Sequence, residues 1–213
     1  MAAIIPQPEA LARFRQYLEN FVVFTNAEWT LFSEQLYQRN LRKRDILVEN
    51  GKICNEVGYI LEGSLRFYFV KDGQEISNYF CFEGGLVSSY SSFLKRTPSF
   101  PTIQAMEDAS VICFSYAGLH QLLQNPLVAL KMERFGRLVA EYLICCYEER
   151  VVTFVTQSPE ERYQELLQKQ PNLLQRIPQH YIANYLGITP VSLSRIRKRI
   201  AAAPISKKLA LVA

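Results

Sequence analysis

The sequence predicts an α+β fold: an N-terminal antiparallel β-barrel, a long linking helix, and a C-terminal helix-turn-helix. Three observations carry it. Short β-branched and aromatic runs begin at Asp45 and are punctuated by Gly51, Gly63, Gly73 and Gly84, the rhythm of antiparallel strands rather than of β-α-β units. Residues 124–156 then change to helical periodicity. Finally, two short apolar helix patterns meet at Gly187 inside a strongly basic segment.

Leu11, Phe14, Leu18 and Phe21 stand at helical spacings near the start, and a second helix is expected from Asn26 to Arg39. The strands are Ile46–Val48, Tyr59–Leu61, Leu65–Val70, Asn78–Phe82 and, last, Val111–Phe114. Turn dipeptides separate them, namely Asn50-Gly51, Glu62-Gly63 and Asp72-Gly73, followed by Glu83-Gly84-Gly85. In the linking helix, Phe135, Leu138, Tyr142, Cys145 and Val152 recur in steps that fit a 3.5-residue seam, with Glu149 interrupting it. This seam is expected to form a homodimer interface. Ser158-Pro159-Glu160-Glu161 reads as a capping box with proline at the first helical position. It opens the last domain, which gives boundaries at 1–123, 124–156 and 157–213.

With 213 residues, 49% hydrophobic and 21% charged, the chain has the composition of a globular protein with room for two cores. The net charge of +4 is unevenly placed. From Pro171 onward there are seven basic residues (Arg176, Arg195, Arg197, Lys198, Arg199, Lys207 and Lys208) and no acidic one. The remainder holds seventeen basic against twenty acidic residues, a net of −3. A polyanion partner at the carboxyl end is the physical implication. No signal peptide or membrane span is read, so a cytoplasmic location is expected. Five cysteines without CxxC spacing point to reduced thiols and no metal site, and Cys145-Cys146 is expected to pack as small hydrophobes. With only His120 and His180 available, a metal-dependent barrel enzyme lacks its ligands, so the chain is expected not to be an enzyme.

The most specific stretch is Gln179 to Lys198. Ile182, Leu186, Ile188, Leu193 and Ile196 form a shared core for two helices, and Ala183 is small where they cross. Gly187 ends the first helix, Thr189 caps the second, and Pro190 fills its first turn. The helix from Pro190 is the expected recognition helix for the DNA major groove, presenting Thr189, Val191, Ser192, Ser194 and Arg195. Arg195 is the base reader, the Thr189 and Ser192 hydroxyls hold phosphates, and Lys198 and Arg199 add charge.

Over essentially its full length the chain resembles the Crp/Fnr family of bacterial regulators, in the subgroup often seen in Bacteroidetes. The resemblance rests on the glycine-punctuated barrel, the linking helix, Ser158-Pro-Glu-Glu-Arg-Tyr163, Ile182-Ala-x-x-Leu-Gly-Ile188 and Leu193-Ser-Arg-Ile196. It implies a cyclic-nucleotide-binding-like β-roll, a dimer through the linking helix, and a winged helix-turn-helix. The implied partners are double-stranded DNA, RNA polymerase and a small-molecule effector.

Departures from the family pattern matter. Where its cyclic-nucleotide members place Gly-Glu on the ribose and Arg on the phosphate, this chain runs Phe82-Glu-Gly-Gly-Leu-Val-Ser-Ser89, with Ser99 at the Arg position. A buried phosphate would lack its partner, so cyclic AMP is not the expected effector. The candidate effector pocket comprises Tyr68, Phe80, Phe82, Ser88, Ser89, Tyr90 and Ser99, suited to an apolar or weakly charged molecule. No cofactor is implied. The competing reading is a ligand-binding or interaction module of the same fold without DNA activity.

Overall fold

The computed structural model describes residues 4–169 and 173–202. The chain divides into two compact units, residues 1–147 and 148–213.

The first unit opens with α1 (Pro8–Leu18), whose Phe14 and Leu18 are fully buried. α2 (Asn26–Ser33) starts with a capping box in which the Thr25 side chain accepts from the Glu28 amide and Glu28 accepts from the Thr25 amide. The helix expected as far as Arg39 stops at Ser33. Its second half is instead strand β1 (Leu36–Leu41), paired residue for residue with the last strand, from Leu36↔Phe114 to Leu41↔Ala109. A six-residue ladder satisfies the backbone as well as a helix does, and it buries Leu36 and Leu41 against the core.

β2 (Ile46–Val48), β3 (Glu56–Glu62), β4 (Leu65–Lys71), β5 (Gln74–Cys81), β6 (Leu86–Val87), α3 (Tyr90–Lys95), β7 (Thr102–Ala105) and β8 (Ala109–Ser115) complete the roll. Two antiparallel sheets, ordered β1-β8-β3-β6 and β2-β7-β4-β5, enclose the core. Ile60, Leu65, Ile103, Val111 and Ile112 lie wholly inside it. At the β3–β4 turn, Gly63 has φ +85°, and a Cβ there would sit 2.5 Å from the Asp108 carbonyl oxygen. Only glycine fits that approach.

α4 (Tyr116–Gln124) leads into α5 (Ala129–Thr156), 28 residues without a break. Met132, Phe135 and Val139 form its inward face, and Phe135 meets the Phe21 ring edge-on at 5.8 Å. Near the start of α5, Lys131 Nζ lies 2.5 Å from Glu28 Oε2, tying this helix to α2. The Lys131 hydrogen bond, helped by the Thr25 amide, lowers the Glu28 pKa from 4.5 to about 2. A carboxyl lowered in the folded state stabilises it above its unfolded pKa and loses that contribution as pH falls through the folded one. Stability of the first unit should therefore drop between about pH 4.5 and pH 2. Glu28→Gln should flatten that part of the denaturation-midpoint-against-pH curve.

The second unit holds the last turns of α5, then α6 (Pro159–Lys169), α7 (Leu173–Arg176), α8 (Gln179–Tyr185) and α9 (Pro190–Ala202). Its core is Tyr163, Ile177, Ile182, Ala183, Leu186, Leu193 and Ile196. The capping box at Ser158 is formed in both directions, Ser158 N to Glu161 Oε2 at 2.7 Å and Glu161 N to Ser158 Oγ at 3.3 Å. Lys207 and Lys208 of the basic segment, and the wing that the family resemblance implies, lie outside the described residues. Among the described residues, no helix is long and apolar enough to cross a membrane.

Candidate nucleic-acid interface and effector pocket

α8 and α9 are joined by a turn whose backbone bonds are complete. Ile188 N donates to Ala183 O at 3.0 Å and Gly187 N to Asn184 O at 2.9 Å, with Gly187 at φ +70°. These are the paired bonds of a Schellman cap, which requires a left-handed residue at this position. A Cβ on Gly187 would also lie 3.0 Å from Phe154 Cε1. Gly187→Ala should cost about 1–2 kcal/mol in backbone strain, more if the Phe154 ring cannot yield. Chemical denaturation followed by far-ultraviolet circular dichroism should show the loss in the second unit.

Ser192 N donates to Thr189 Oγ1 at 3.1 Å, and the two hydroxyls lie 2.9 Å apart. Both hydroxyls are thus engaged in capping α9 before any phosphate is met. Leu193 and Ile196 face the core. Val191, Ser194, Arg195, Lys198 and Arg199 are exposed, and Val191, Arg195 and Lys198 follow one another at helical spacing along the outermost row.

The basic residues of α9 are not equivalent. Arg199 pairs with Glu160 on α6 at 2.5 Å, so the charge assigned to it from sequence is already balanced. Arg197 turns toward Tyr163, whose phenol is raised by burial and lowered in part by that arginine. Arg195 and Lys198 have no carboxylate partner among the described residues.

A cluster unforeseen from sequence holds the C-terminal end of α8. Arg150 NH2 donates to Tyr185 O at 3.0 Å, and Arg162 NH2 to Leu186 O at 2.9 Å. These carbonyls end α8, where cations are favoured by the helix dipole. Phe154 lies between the two guanidinium groups, at 4.8 and 4.7 Å from its ring centroid. No periodicity marks these three residues as a group, since they come from two helices and act on a third.

In the first unit strand register separates the residues of the expected effector pocket. Directly opposed residues on neighbouring strands share a face. Leu65 opposes Cys81 and Ala105, and Phe67 opposes Ile103, on the core side, with the exposed Tyr79 as the other neighbour of Phe67. Arg66 opposes Phe80 and Gln104 on the other side. There its guanidinium lies 4.1 Å from the Tyr68 ring, 2.7 Å from Gln104 Oε1 and 2.5 Å from Glu75 Oε2. Tyr68 and Phe80 are nonetheless buried, at 8% and 7% exposed. Phe67 and Tyr79 meet edge-on with ring centroids 5.7 Å apart, Phe67 half-buried and Tyr79 exposed.

The remaining candidates lie near α3. Phe82 follows β5 and is half-buried, and Tyr90 opens α3, with its phenol raised by burial. Ser88 Oγ donates to Glu56 O at 3.0 Å. Ser99 Oγ is 2.8 Å from Ser89 Oγ and 2.7 Å from Pro101 O. Ser89 and Ser99 are both buried, and the 99 loop is tied down by Gly51 N to Ser99 O and Ser99 N to Lys52 O. Glu83 accepts from Gly63 N at 2.9 Å, which fixes it to the β3–β4 turn. Among the described residues there is no group of three His, Cys, Asp or Glu side chains able to hold a metal ion.

The linking-helix seam is corrected too. Phe135 belongs to the core of its own unit, and Leu138 is half-buried against the same core. Tyr142, Cys145 and Val152 are exposed, as expected for a seam, but so are Ile144 (58%), Tyr147 (66%), Val151 (62%) and Val155 (79%). The buried cysteines are Cys54, Cys81 and Cys113, not the Cys145-Cys146 pair. Burial pushes the Cys81 thiol up to about 12 and Cys113 well above its ordinary value.

Residues 38–126 match the family model of the cyclic nucleotide-binding domain. Among solved structures, the c-di-GMP-responsive global regulator CLP of Xanthomonas campestris superposes with a TM-score of 0.63 at 15% identity, over 84% of this chain and 92% of that one. FixK2 of Bradyrhizobium japonicum gives 0.61 at 18% identity, over 78% and 84%. A protein described as a Crp/Fnr-family transcriptional regulator of Eubacterium rectale gives 0.62 at 20%, over 87% and 88%. At these identities the likeness is one of fold. No curated protein sequence matches the chain.

Proposed function

We propose that this protein is a non-catalytic, homodimeric transcription regulator of the Crp/Fnr type, which reads a palindromic DNA site with α9 and carries a sensor with the cyclic nucleotide-binding fold. The observation that carries the reading is the outer row of α9. Val191, Arg195 and Lys198 stand exposed along one side, and the two cations lack acidic partners among the described residues. The phosphate backbone and a guanine edge both call for such a row of unpaired cations. The regulators that share the fold over most of their length support the same reading. Transcriptional control would add RNA polymerase as a partner.

The test is selection of host genomic fragments by the purified full chain, followed by measurement of affinity against salt. Recovery of a common palindrome, with steeply salt-dependent binding, is the expected result. Binding that is absent, or blind to sequence, would leave a ligand-binding module of the same fold.

The effector is proposed not to be cyclic AMP. Ser99 carries no charge to meet a phosphate, its hydroxyl is engaged by Ser89 and Pro101, and Glu83 is bonded to Gly63. Isothermal titration with cyclic AMP should give no heat of binding in the micromolar range, and low-micromolar affinity would overturn this part of the proposal.

A further inference from the structure

We propose that the sensor unit has a second ligand site, away from the roll interior, which takes a small amphipathic carboxylate in the cleft beside β2. β1 and β2 are the outer strands of their respective sheets, so the space along β2 is not closed by a further strand. A cleft of about 440 Å³ lies there, bounded by Arg39 on β1, by Ile46–Val48 and Glu49, and by residues 52–56. That volume is within the range of small-ligand sites. None of the residues of the expected effector pocket lines it.

One wall is apolar. Ile46 and Ile53 are each 41% exposed, with Leu47 and Val48 behind them. The rest of the lining carries several donors. Glu56 is satisfied, because Tyr37 Oη donates to its Oε2 at 2.6 Å and Arg39 NH1 to its Oε1. That contact uses one end of the Arg39 fork and anchors it, leaving further N–H groups on the guanidinium. Asn55 Oδ1 accepts from Arg96, so its amide N–H groups remain. The Lys52 ammonium has no acidic partner among the described residues. The one uncommitted carboxylate of the lining is Glu49, which is exposed. With the Arg39 charge balanced by Glu56, the free Lys52 ammonium and the spare N–H groups of Arg39 and Asn55 stand beside an aliphatic wall, and the complement is an anionic head on a short apolar chain.

The experiment uses the full chain with its isoleucine δ1 methyls labelled for NMR, titrated with butyrate, 4-methylpentanoate, hexanoate and benzoate up to about 10 mM, and then with the neutral amide of whichever binds best. Saturable shifts at Ile46 and Ile53, with the Ile182 and Ile196 methyls unmoved, are the expected result. The amide should bind roughly tenfold more weakly or worse, as loss of a charge-assisted contact requires. Lys52→Gln, an exposed change that leaves the fold intact, should weaken the carboxylate several-fold. Arg39→Gln should do more, although it also strands Glu56, which is why Lys52→Gln is the deciding variant. The proposal fails if no carboxylate moves Ile46 or Ile53, if the amide binds equally well, or if Lys52→Gln leaves the affinity unchanged.

Discussion

Replacing Arg195 with alanine should erase most of the preference for the palindrome over random DNA. A bidentate arginine–guanine contact is worth about 1–3 kcal/mol of discrimination. A twofold dimer makes it twice, so roughly 2–6 kcal/mol is at stake, some 30-fold to 10⁴-fold in the specificity ratio. Arg195 is suited to the role because it is exposed on α9 with no carboxylate to release first. Lys198→Ala should instead weaken specific and nonspecific binding alike and lower the salt slope by about one per half-site. Arg199→Ala should do less than either, since Glu160 already holds that side chain. Fluorescence anisotropy on matched and scrambled duplexes at several salt concentrations separates the three. An unchanged specificity ratio for Arg195→Ala would mean that α9 is not the base reader.

A glutamate at Ile144 and a second at Val151 should turn the proposed dimer into monomers. Both side chains project from α5 with more than half their surface exposed, so the substitutions cost the isolated chain little. In a self-complementary twofold contact every substitution appears twice. Each uncompensated charge buried there costs about 3–5 kcal/mol. Light scattering should report a monomer with an unchanged circular dichroism spectrum. Persistence of the dimer would place the interface elsewhere on the molecule. Leu138→Glu is a poorer probe, because Leu138 packs on its own core and its replacement would unsettle the roll as well. The residues of α5 that face outward carry more apolar surface between Tyr142 and Val155 than one heptad seam needs. Two adjoining strips, Tyr142–Cys145–Val152 and Ile144–Tyr147–Val151–Val155, are both open.

Much of this organisation was readable from local chemistry. The turn glycines Gly51, Gly63, Gly73 and Gly84 all have positive φ, the capping box at Ser158 is formed, and Gly187 closes α8 with the bonds of a Schellman cap. These features depend on a few neighbouring residues, and each has a single conformation that satisfies its backbone. That is why proline, glycine and the short polar side chains marked them correctly.

Features that depend on distant partners were read less well. Leu36–Leu41 has the composition of either a helix or a strand, and pairing with β8, more than seventy residues later in the chain, makes it a strand. Tyr68 and Phe80 look like pocket residues by type, and it is the register of β4 against β5 and β7 that puts them on the Arg66 face of the sheet rather than beside Leu65 and Ile103. Phe135 fits a dimer seam by spacing, and the Phe21 ring claims it for the core. Arg199 counts as a free cation in the sequence, and Glu160, brought close by the packing of α6 on α9, neutralises it. Turns, caps, helix ends and the asymmetry of charge are properties of short stretches of chain and can be derived from residue order. Which face of a strand is interior, which apolar stripe is already covered and which cations remain unpaired are properties of contacts between elements remote in sequence, and only the packed structure assigns them.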